Sequence, residues 1–189
     1  MIARDEPSAA ARTLLRELFA GAADTAADAL EQAANRARAQ GFIVLQVGVQ
    51  QSGQVREVAN FHAAIALQCA RHGIPMAPTV IVSAGPLLSG AACASPADFL
   101  LALTLAIDGH RGMYAYACGS IPNRGEFSGL GAFIDPGTLK RARESRIDVT
   151  ARLIAGDAVS VFEHLGDCED LAAIPIAWGV LRAILITPE

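Results

Sequence analysis

The chain has 189 residues, of which 52% are hydrophobic and 18% are charged, and its formal net charge is −4. This length favours one domain that buries about 70% of the surface its unfolded chain exposes, and the composition excludes intrinsic disorder. The net negative charge provides no electrostatic attraction for nucleic acid or for an anionic membrane. Lys140 is the only lysine, so a mobile phosphate-binding lysine has a single candidate.

No stretch reaches the roughly 18 uninterrupted apolar residues that a membrane span requires, and residues 1–6 carry mixed charge, unlike a signal peptide. The four cysteines are far apart and form no CxxC pair: Cys69, Cys93, Cys118 and Cys168. This spacing predicts reduced, partly buried thiols rather than disulfides or a zinc site. We therefore expect a cytoplasmic protein with no bound metal and no nucleic-acid or membrane partner.

Helical and strand patterns alternate along the chain. Two helices come first, with apolar residues at helical spacing over 11–22 and 30–37, and Thr25 with Asp28 resembles a capping box. The later elements, in chain order, are a strand over 42–47, a helix over 55–69, a strand over 79–83, a helix over 96–108 that starts at a Ser95–Asp98 cap, a strand over 113–117, helices opened by Asp135, Asp148 and Asp157, and a strand over 180–186.

These strands are continuously apolar, which is typical of strands covered on both faces. Their alternation with helices predicts an α/β fold in which the strands over 42–47, 79–83, 113–117 and 180–186 lie in one mainly parallel sheet with helices on both faces.

The residues alone indicate little chemistry. There is no GxxxxGK[ST] and no GxGxxG motif. A glycine-containing loop over 119–131 could present backbone N–H groups to an anion, although turns explain most such glycines. Ser83 lies outside any GxSxG elbow, so it is not expected to be a hydrolase nucleophile. Asp98 is explained as a helix-capping acid.

Other polar residues also have structural explanations. His62 falls on the apolar stripe of its helix and is expected to be a packed, hydrogen-bonded histidine. Arg141 and Arg143 are expected on a solvated helix face. Four carboxylates are expected to form an acidic surface stretch: Glu163, Asp167, Glu169 and Asp170.

Several short segments occur in the order that is typical of one family. They are 53–59 (GQVREVA), 81–85 (IVSAG), 99–103 (FLLAL), 131–139 (GAFIDPGTL) and 181–186 (LRAILI). On these segments the chain resembles the C-terminal MOFRL domain of class II glycerate kinases, which are also called hydroxypyruvate reductases.

The resemblance implies the fold of that domain over 27–189, preceded by an N-terminal helical segment over 1–26. Residues 9–22 resemble the family's N-terminal helix. The implied picture is a bacterial kinase from which most of the first domain has been removed.

The functional motifs of the family are degenerate in this sequence. Its SGGE motif corresponds to 83–86 (SAGP), its GGRNQE motif to 93–98 (CASPAD), its DTDGIDG loop to 119–125 (GSIPNRG) and its GPTGTNVND signature to 172–180 (AAIPIAWGV). Nearly all acids, amides and the arginine of these motifs are lost. Phosphoryl transfer depends on positioning and charge stabilisation by such groups, so the resemblance predicts a non-catalytic remnant that acts as a binding or assembly module.

The candidate ligand-binding residues are the former active-site positions Ser83, Gly85, Asp98, Ser120, Asn123, Arg124 and Gly125. The apolar residues Ile174, Ile176 and Trp178 are a candidate interface. No cofactor is expected. ATP and magnesium are expected only if kinase activity is retained. The expected partner is a second copy or a separate glycerate kinase N-terminal domain. The alternatives are a glycerate 2-kinase that phosphorylates D-glycerate, a subunit of one, or a small-ligand sensor that uses the 119–131 loop.

Overall fold

The structure is a computed structural model that describes residues 6–21, 23–48, 53–72, 77–90, 92–120, 129–171 and 179–188. Its helices are α1 (Glu6–Leu18), α2 (Ala26–Ala39), α3 (Val55–His72), α4 (Pro96–Ile107), α5 (Thr138–Glu144), α6 (Val149–Ile154) and α7 (Ala158–Leu165). Its strands are β1 (Ile43–Val47), β2 (Gly53–Gln54), β3 (Thr79–Gly85), β4 (Leu87–Ser89), β5 (Ala92–Cys93), β6 (Met113–Ser120), β7 (Gly129–Ile134), β8 (Cys168–Leu171) and β9 (Val180–Ile186).

The helices begin where the capping residues predict. The Thr25 hydroxyl accepts a hydrogen bond from the backbone N–H of Asp28, and the Asp28 carboxylate accepts one from the backbone N–H of Thr25. Ser95 and Asp98 form the same capping box at α4. The Asp148 side chain caps α6. These contacts satisfy backbone N–H groups that have no partner within the helix.

The central sheet contains six strands in the order β1-β3-β9-β6-β7-β8. β1 and β3 run parallel, whereas β9 runs antiparallel to both β3 and β6, and β7 runs antiparallel to both β6 and β8. Consequently β1, β3, β6 and β8 point in one direction, and β7 and β9 point in the other.

The predicted α/β class is confirmed, and the four predicted strands do lie in one sheet. The prediction of a mainly parallel sheet is wrong for neighbouring strands, since β1 and β3 form the one parallel pair among the described strands of this sheet. The physical reason is that helices cover both faces. A strand buried on both faces is continuously apolar whichever way its neighbours run, so its composition does not report its direction.

Each face of the sheet carries its own hydrophobic core. On one face α1 and α2 pack against alternate residues of the strands, including Val82, Tyr116 and Phe133. On the other face α3, α4, α5, α6 and α7 pack against the remaining set, including Ile81 and Ile184. The alternation follows from the two-residue period of a β-strand. The expected helical cover on both faces is thus confirmed.

The N-terminal helix contributes to the core of the main sheet. Leu15 and Leu18 of α1 are fully buried in the same cluster as Leu30 of α2. The division into residues 1–26 and 27–189 stays a prediction. None of the helices in the described part of the chain is long and apolar enough to cross a membrane.

A small second sheet, absent from the sequence-based expectations, follows the end of β3. It has the order β2-β4-β5, with β2 parallel and β5 antiparallel to β4. The Gln54 side chain fastens the turn after β4, because its amide donates to the carbonyl of Gly90 at 3.0 Å and accepts from the N–H of Gly90 at 3.1 Å. This sheet forms one wall of the candidate site.

Candidate functional site

The candidate site lies where β3 and β6 end and β9 begins. Gly85 at the end of β3 and Gly119 near the end of β6 both pair with Val180, the first residue of β9. In open α/β sheets, ligands bind outside the carboxyl ends of the strands. Here two such ends flank an antiparallel strand, and the chain enters that strand through Gly179.

Glycine is required at this crossing. Gly179 has a φ of +66°, in the left-handed region, and a Cβ there would lie 2.4 Å from the carbonyl carbon of Gly85. A Cβ on Gly119 would lie 2.8 Å from the carbonyl oxygen of Gly179. Three backbone segments therefore meet at distances that no side chain would permit.

A cleft of about 210 Å³ opens beside this crossing. The described residues that line it come from the ends of β3, β6 and β9 and from the segments around β4 and β5: Pro86, Leu87, Cys93, Ala94, Ser120, Gly179 and Val180. None of these seven side chains carries a formal charge at neutral pH. The polar groups that they contribute are the Ser120 hydroxyl and the Cys93 thiol.

Cys93 is the exposed thiol among the cysteines, whereas Cys69 and Cys168 are half-buried and Cys118 is buried. All four are free, as predicted. Burial raises the pKa of Cys118 to about 12, so this thiol is protonated at neutral pH. The thiol beside the cleft is therefore also the most exposed of the four.

The first turn of α4 lies beside the cleft, and its polar groups serve the helix. The Asp98 carboxylate accepts hydrogen bonds from the backbone N–H of Ser95 at 2.8 Å and from the Ser95 hydroxyl at 2.7 Å. The Ser95 hydroxyl accepts one from the N–H of Asp98 at 3.2 Å. Asp98 is buried and acts as the capping acid that the sequence predicted.

Two residue pairs along the strands from the cleft floor, on the same face of the sheet, a polar layer is buried between the sheet and helices α3 and α4. Ser83 pairs with Arg182, and Arg182 pairs with Ala117 on its other side. His62 of α3 reaches this rung, with its Nε2 2.7 Å from the Ser83 hydroxyl. His62, Ser83 and Arg182 are each no more than 1% exposed. The Arg182 guanidinium carbon lies 5.4 Å from the centroid of the Phe99 ring.

The hydrogen bonds of His62 determine its tautomer. Its Nδ1 lies 2.7 Å from the carbonyl oxygen of Val58, which can only accept, so Nδ1 carries the proton. In the neutral ring Nε2 is then an acceptor, and the Ser83 hydroxyl donates to it. Burial, together with the charge of Arg182, lowers the pKa of His62 to about 4. His62 is thus a neutral core histidine, as its position on the apolar stripe predicted.

Arg182 is the residue that the sequence-based reasoning missed. Burial lowers the pKa of its guanidinium to about 9, which still leaves it charged at neutral pH. The signal was present, because Arg182 is the one charged residue in the otherwise apolar run 180–186. Such a residue in a central strand indicates a polar group packed within the core.

The predicted site residues are distributed around this region. Ser120 lines the cleft, Gly85 pairs with Val180 at its floor, Ser83 lies two residues further down β3, and Asp98 lies in the adjacent first turn of α4. The remaining candidates lie outside the described residues: Asn123, Arg124, Gly125, Ile174, Ile176 and Trp178. The ligand-binding and interface roles of all these residues stay predictions.

The seven described side chains that line the cleft offer no ligand set for a magnesium ion with a nucleotide. Magnesium prefers carboxylate and phosphate oxygens, and the seven described lining residues include no carboxylate. Across the described ranges, no group of three or more His, Cys, Asp or Glu side chains could hold a metal ion.

Two expectations about surface residues are wrong. Arg141 does not lie on a solvated face, because its guanidinium is held between Asp135 at 2.8 Å and Asp167 at 2.7 Å, and its side chain is 12% exposed. Asp167, expected in an acidic surface stretch, is fully buried by the same contacts. Glu169 is half-buried and accepts a hydrogen bond from the Tyr116 hydroxyl at 2.9 Å. Helical spacing gave Arg141 no apolar neighbours that would signal burial.

The fold and the cleft define an α/β domain with a mixed sheet and a site at the strand ends. No protein-family model matches the chain. Two proteins of Agrobacterium vitis, each named as a hydroxypyruvate reductase, are 33% and 30% identical to it over 165 residues, which is 84% of this chain and 38% and 43% of theirs.

Two solved structures share the fold of this chain. The chain is similar to the glycerate kinase of Thermotoga maritima, with a TM-score of 0.73 and 18% identity over 86% of this chain and 41% of that one. It is also similar to a protein of Pyrococcus horikoshii, with a TM-score of 0.69 and 20% identity over 87% of this chain and 39% of that one.

These likenesses support a relation between the chain and the glycerate kinase/hydroxypyruvate reductase family. It spans about two fifths of the length of the relatives it matches. That partial coverage is consistent with the predicted correspondence to one domain, the MOFRL domain.

Proposed function

We propose that the chain is a non-catalytic member of this group that acts as a binding or assembly module. The observation that carries the proposal is the composition of the cleft. The described parts of all four degenerate segments, 83–86, 93–98, 119–125 and 172–180, meet around it. Segments far apart in the sequence are expected to meet in this way if they descend from one active site.

The chemistry of the lining supports loss of phosphoryl transfer. A kinase active site stabilises the charge of the transferring group with cations, a metal and directed N–H groups. The described residues at the cleft offer one hydroxyl and one thiol on otherwise apolar walls. Arg182 is not among the described residues that line the cleft, and its side chain is buried two residues along β9 from Val180, so it is not placed as a phosphate-binding arginine. Since catalytic groups act as a unit, loss of several removes most of the rate enhancement.

The test is a kinase assay of the purified protein with ATP, magnesium and D-glycerate. We expect no phosphoglycerate above a no-enzyme control. The glycerate kinase of Thermotoga maritima, assayed alongside at its own working temperature, shows that the assay detects turnover. A rate near the roughly 1–100 per second of ordinary kinases would contradict the proposal.

The assembly role is tested at Trp178. This residue lies within 172–180, the segment in which apolar residues replace the polar residues of the family's motif. Aromatic anchors of this kind dominate interface energetics, so Trp178→Asp is expected to convert an oligomer into a soluble monomer in light scattering. Ile154→Asp is the matched control, because Ile154 is 76% exposed on α6. A wild-type protein that is monomeric at high concentration would exclude self-association.

A second candidate is a subunit that is completed by a separate N-terminal kinase domain. The partial coverage of the relatives favours it, since about three fifths of their length has no counterpart here. Under this alternative the protein alone is inactive, and adding a separately expressed N-terminal domain of a relative restores phosphoglycerate formation. If the mixture stays inactive and the two proteins do not associate, the non-catalytic proposal is favoured.

A further inference from the structure

We propose that the cleft at the ends of β3 and β6 binds a small, uncharged and largely apolar ligand, such as a molecule with one or two fused rings. This inference rests on the proposed non-catalytic function and specifies what the binding module takes up. It differs from what the name glycerate kinase implies for a relative, which is a small polar anion.

The size of the cleft supports a small occupant. Pockets for drug-sized molecules measure about 300–1,000 Å³, whereas the cleft measures about 210 Å³. An apolar cavity of about 150 Å³ is large enough for benzene. A single aromatic ring or a fused pair therefore matches the volume.

The walls decide between an apolar and a charged ligand. Leu87 and Val180 are each 2% exposed and form fixed apolar walls. Pro86 and Ala94 extend these walls. A carboxylate that entered would lose its hydrogen bonds to water, and among the described lining side chains the Ser120 hydroxyl and the weak thiol donor of Cys93 are the groups that could replace them. An ionised group left without hydrogen bonds in an apolar site is strongly disfavoured.

The buried cation below the floor does not reverse this preference. Arg182 is 1% exposed, lies two residues along β9 from Val180, and is not among the described residues that line the cleft. It contributes only a longer-range attraction for negative charge. We therefore expect the uncharged member of a matched ligand pair to bind more tightly than the carboxylate.

The backbone around the cleft is suited to a preformed site. Gly179 contacts the end of β3 directly, and Gly119 is in close contact with Gly179. On the opposite wall, the Ala94 N–H donates to the Leu87 carbonyl at 2.9 Å. Because these walls are fixed by backbone contacts, ligand binding need not first order them.

The experiment uses indole as the uncharged probe and indole-3-carboxylate as its charged counterpart. Binding is measured by saturation-transfer NMR and by the protection of Cys93, the exposed thiol at the cleft, from N-ethylmaleimide. We expect saturable indole binding that is at least about tenfold tighter than that of the carboxylate, and we expect indole to slow the labelling of Cys93.

Two variants fill the cleft, and a third is the control. Ser120→Phe is expected to weaken indole binding at least about tenfold, while Ile154→Phe, which adds the same ring at an exposed position outside the lining, leaves it unchanged. Cys93→Trp fills the cleft from an exposed position, so it tests the same point if Ser120→Phe does not fold.

The outcomes separate this inference from the proposed function. Absence of saturable indole binding, tighter binding of the carboxylate, or unchanged binding in both cleft-filling variants would overturn the ligand assignment. If the kinase assay is still negative in that case, the non-catalytic proposal stands without this ligand class. Phosphoglycerate formation would instead contradict the proposed function, whatever the indole result.

Discussion

Arg141 and Arg182 are both cations inside the fold, yet their surroundings differ completely. Arg141 donates two hydrogen bonds to the Asp135 carboxylate, at 2.8 and 3.0 Å, and one to Asp167 at 2.7 Å. Arg182 packs against the Phe99 ring in a layer that also holds the neutral His62. One arginine joins two buried carboxylates, and the other lies against an aromatic ring beside a neutral histidine.

The difference between the two arginines indicates under which conditions a buried charge stabilises a fold. Removing Arg141 would leave two carboxylates buried without their counter-charge, at a point where β7, α5 and the start of β8 are joined. Arg182 already experiences the cost of burial, since its pKa falls to about 9 for that reason. A buried ion pair is strongly destabilised by the loss of one partner, whereas the desolvation cost of a buried charge can offset the stability that its contacts contribute.

The largest effect is expected for Arg141→Met. This change should lower the free energy of unfolding by about 3–5 kcal/mol, the range for breaking a buried ion pair. Urea unfolding followed by circular dichroism measures it. Lys140→Met is the matched control, because Lys140 is exposed and lies 3.9 Å from Glu144 in an i,i+4 pair, so its loss should cost less than about 0.5 kcal/mol. Equal losses of stability in the two variants would contradict a stabilising role for the contacts of Arg141 with Asp135 and Asp167.

The next effect is a pH dependence that comes from His62. Its pKa in the folded state is lowered to about 4 from the ordinary histidine value of 6.5, so the unfolded chain binds the proton more tightly. The stability that neutral His62 contributes is therefore complete above pH 6.5 and is lost as the pH falls towards 4. The loss is at most about 3 kcal/mol.

His62→Gln should remove this part of the pH dependence, because glutamine does not titrate. The measurement is the free energy of unfolding at several values between pH 7 and pH 4.5, taken as the difference between the wild type and the variant. His164→Gln is the control, since His164 is exposed on α7. A difference that does not change with pH would mean that His62 is not held neutral in the fold.

The fold was largely predictable because its signals are local. The capping boxes at Thr25 and Ser95 and the apolar runs of β3 and β9 depend on neighbours in the sequence, and each appears where it was predicted. Strand direction was not predictable in this way. β9 pairs with β3 and β6, which are distant from it in the sequence. The apolar residues of β9 would fit a parallel or an antiparallel arrangement.

The candidate site was predictable only in outline. The family resemblance named Ser120 and Gly85 as former active-site positions. Ser120 lines the cleft and Gly85 pairs with Val180 at its floor, while their ligand-binding roles stay predictions. The burial of Arg141 and Asp167 was missed, because a charged residue on a short helix gives the same sequence pattern whether its partner is water or a distant carboxylate. Long-range ion pairs have no periodicity, so sequence patterns do not report them.

The smallest effect is expected for Arg182→Met, and it tests the comparison most directly. Methionine keeps the length of the side chain and its contact with Phe99 while removing a charge that burial penalises. We expect the free energy of unfolding to change by less than about 1 kcal/mol. The pKa of His62 should rise, because the charge of Arg182 is one of the causes that lower it. Urea unfolding and an NMR titration of the His62 ring give the two values. A loss of stability as large as that of Arg141→Met would mean that the contacts of Arg182 stabilise the fold as much as the two carboxylates of Arg141 do.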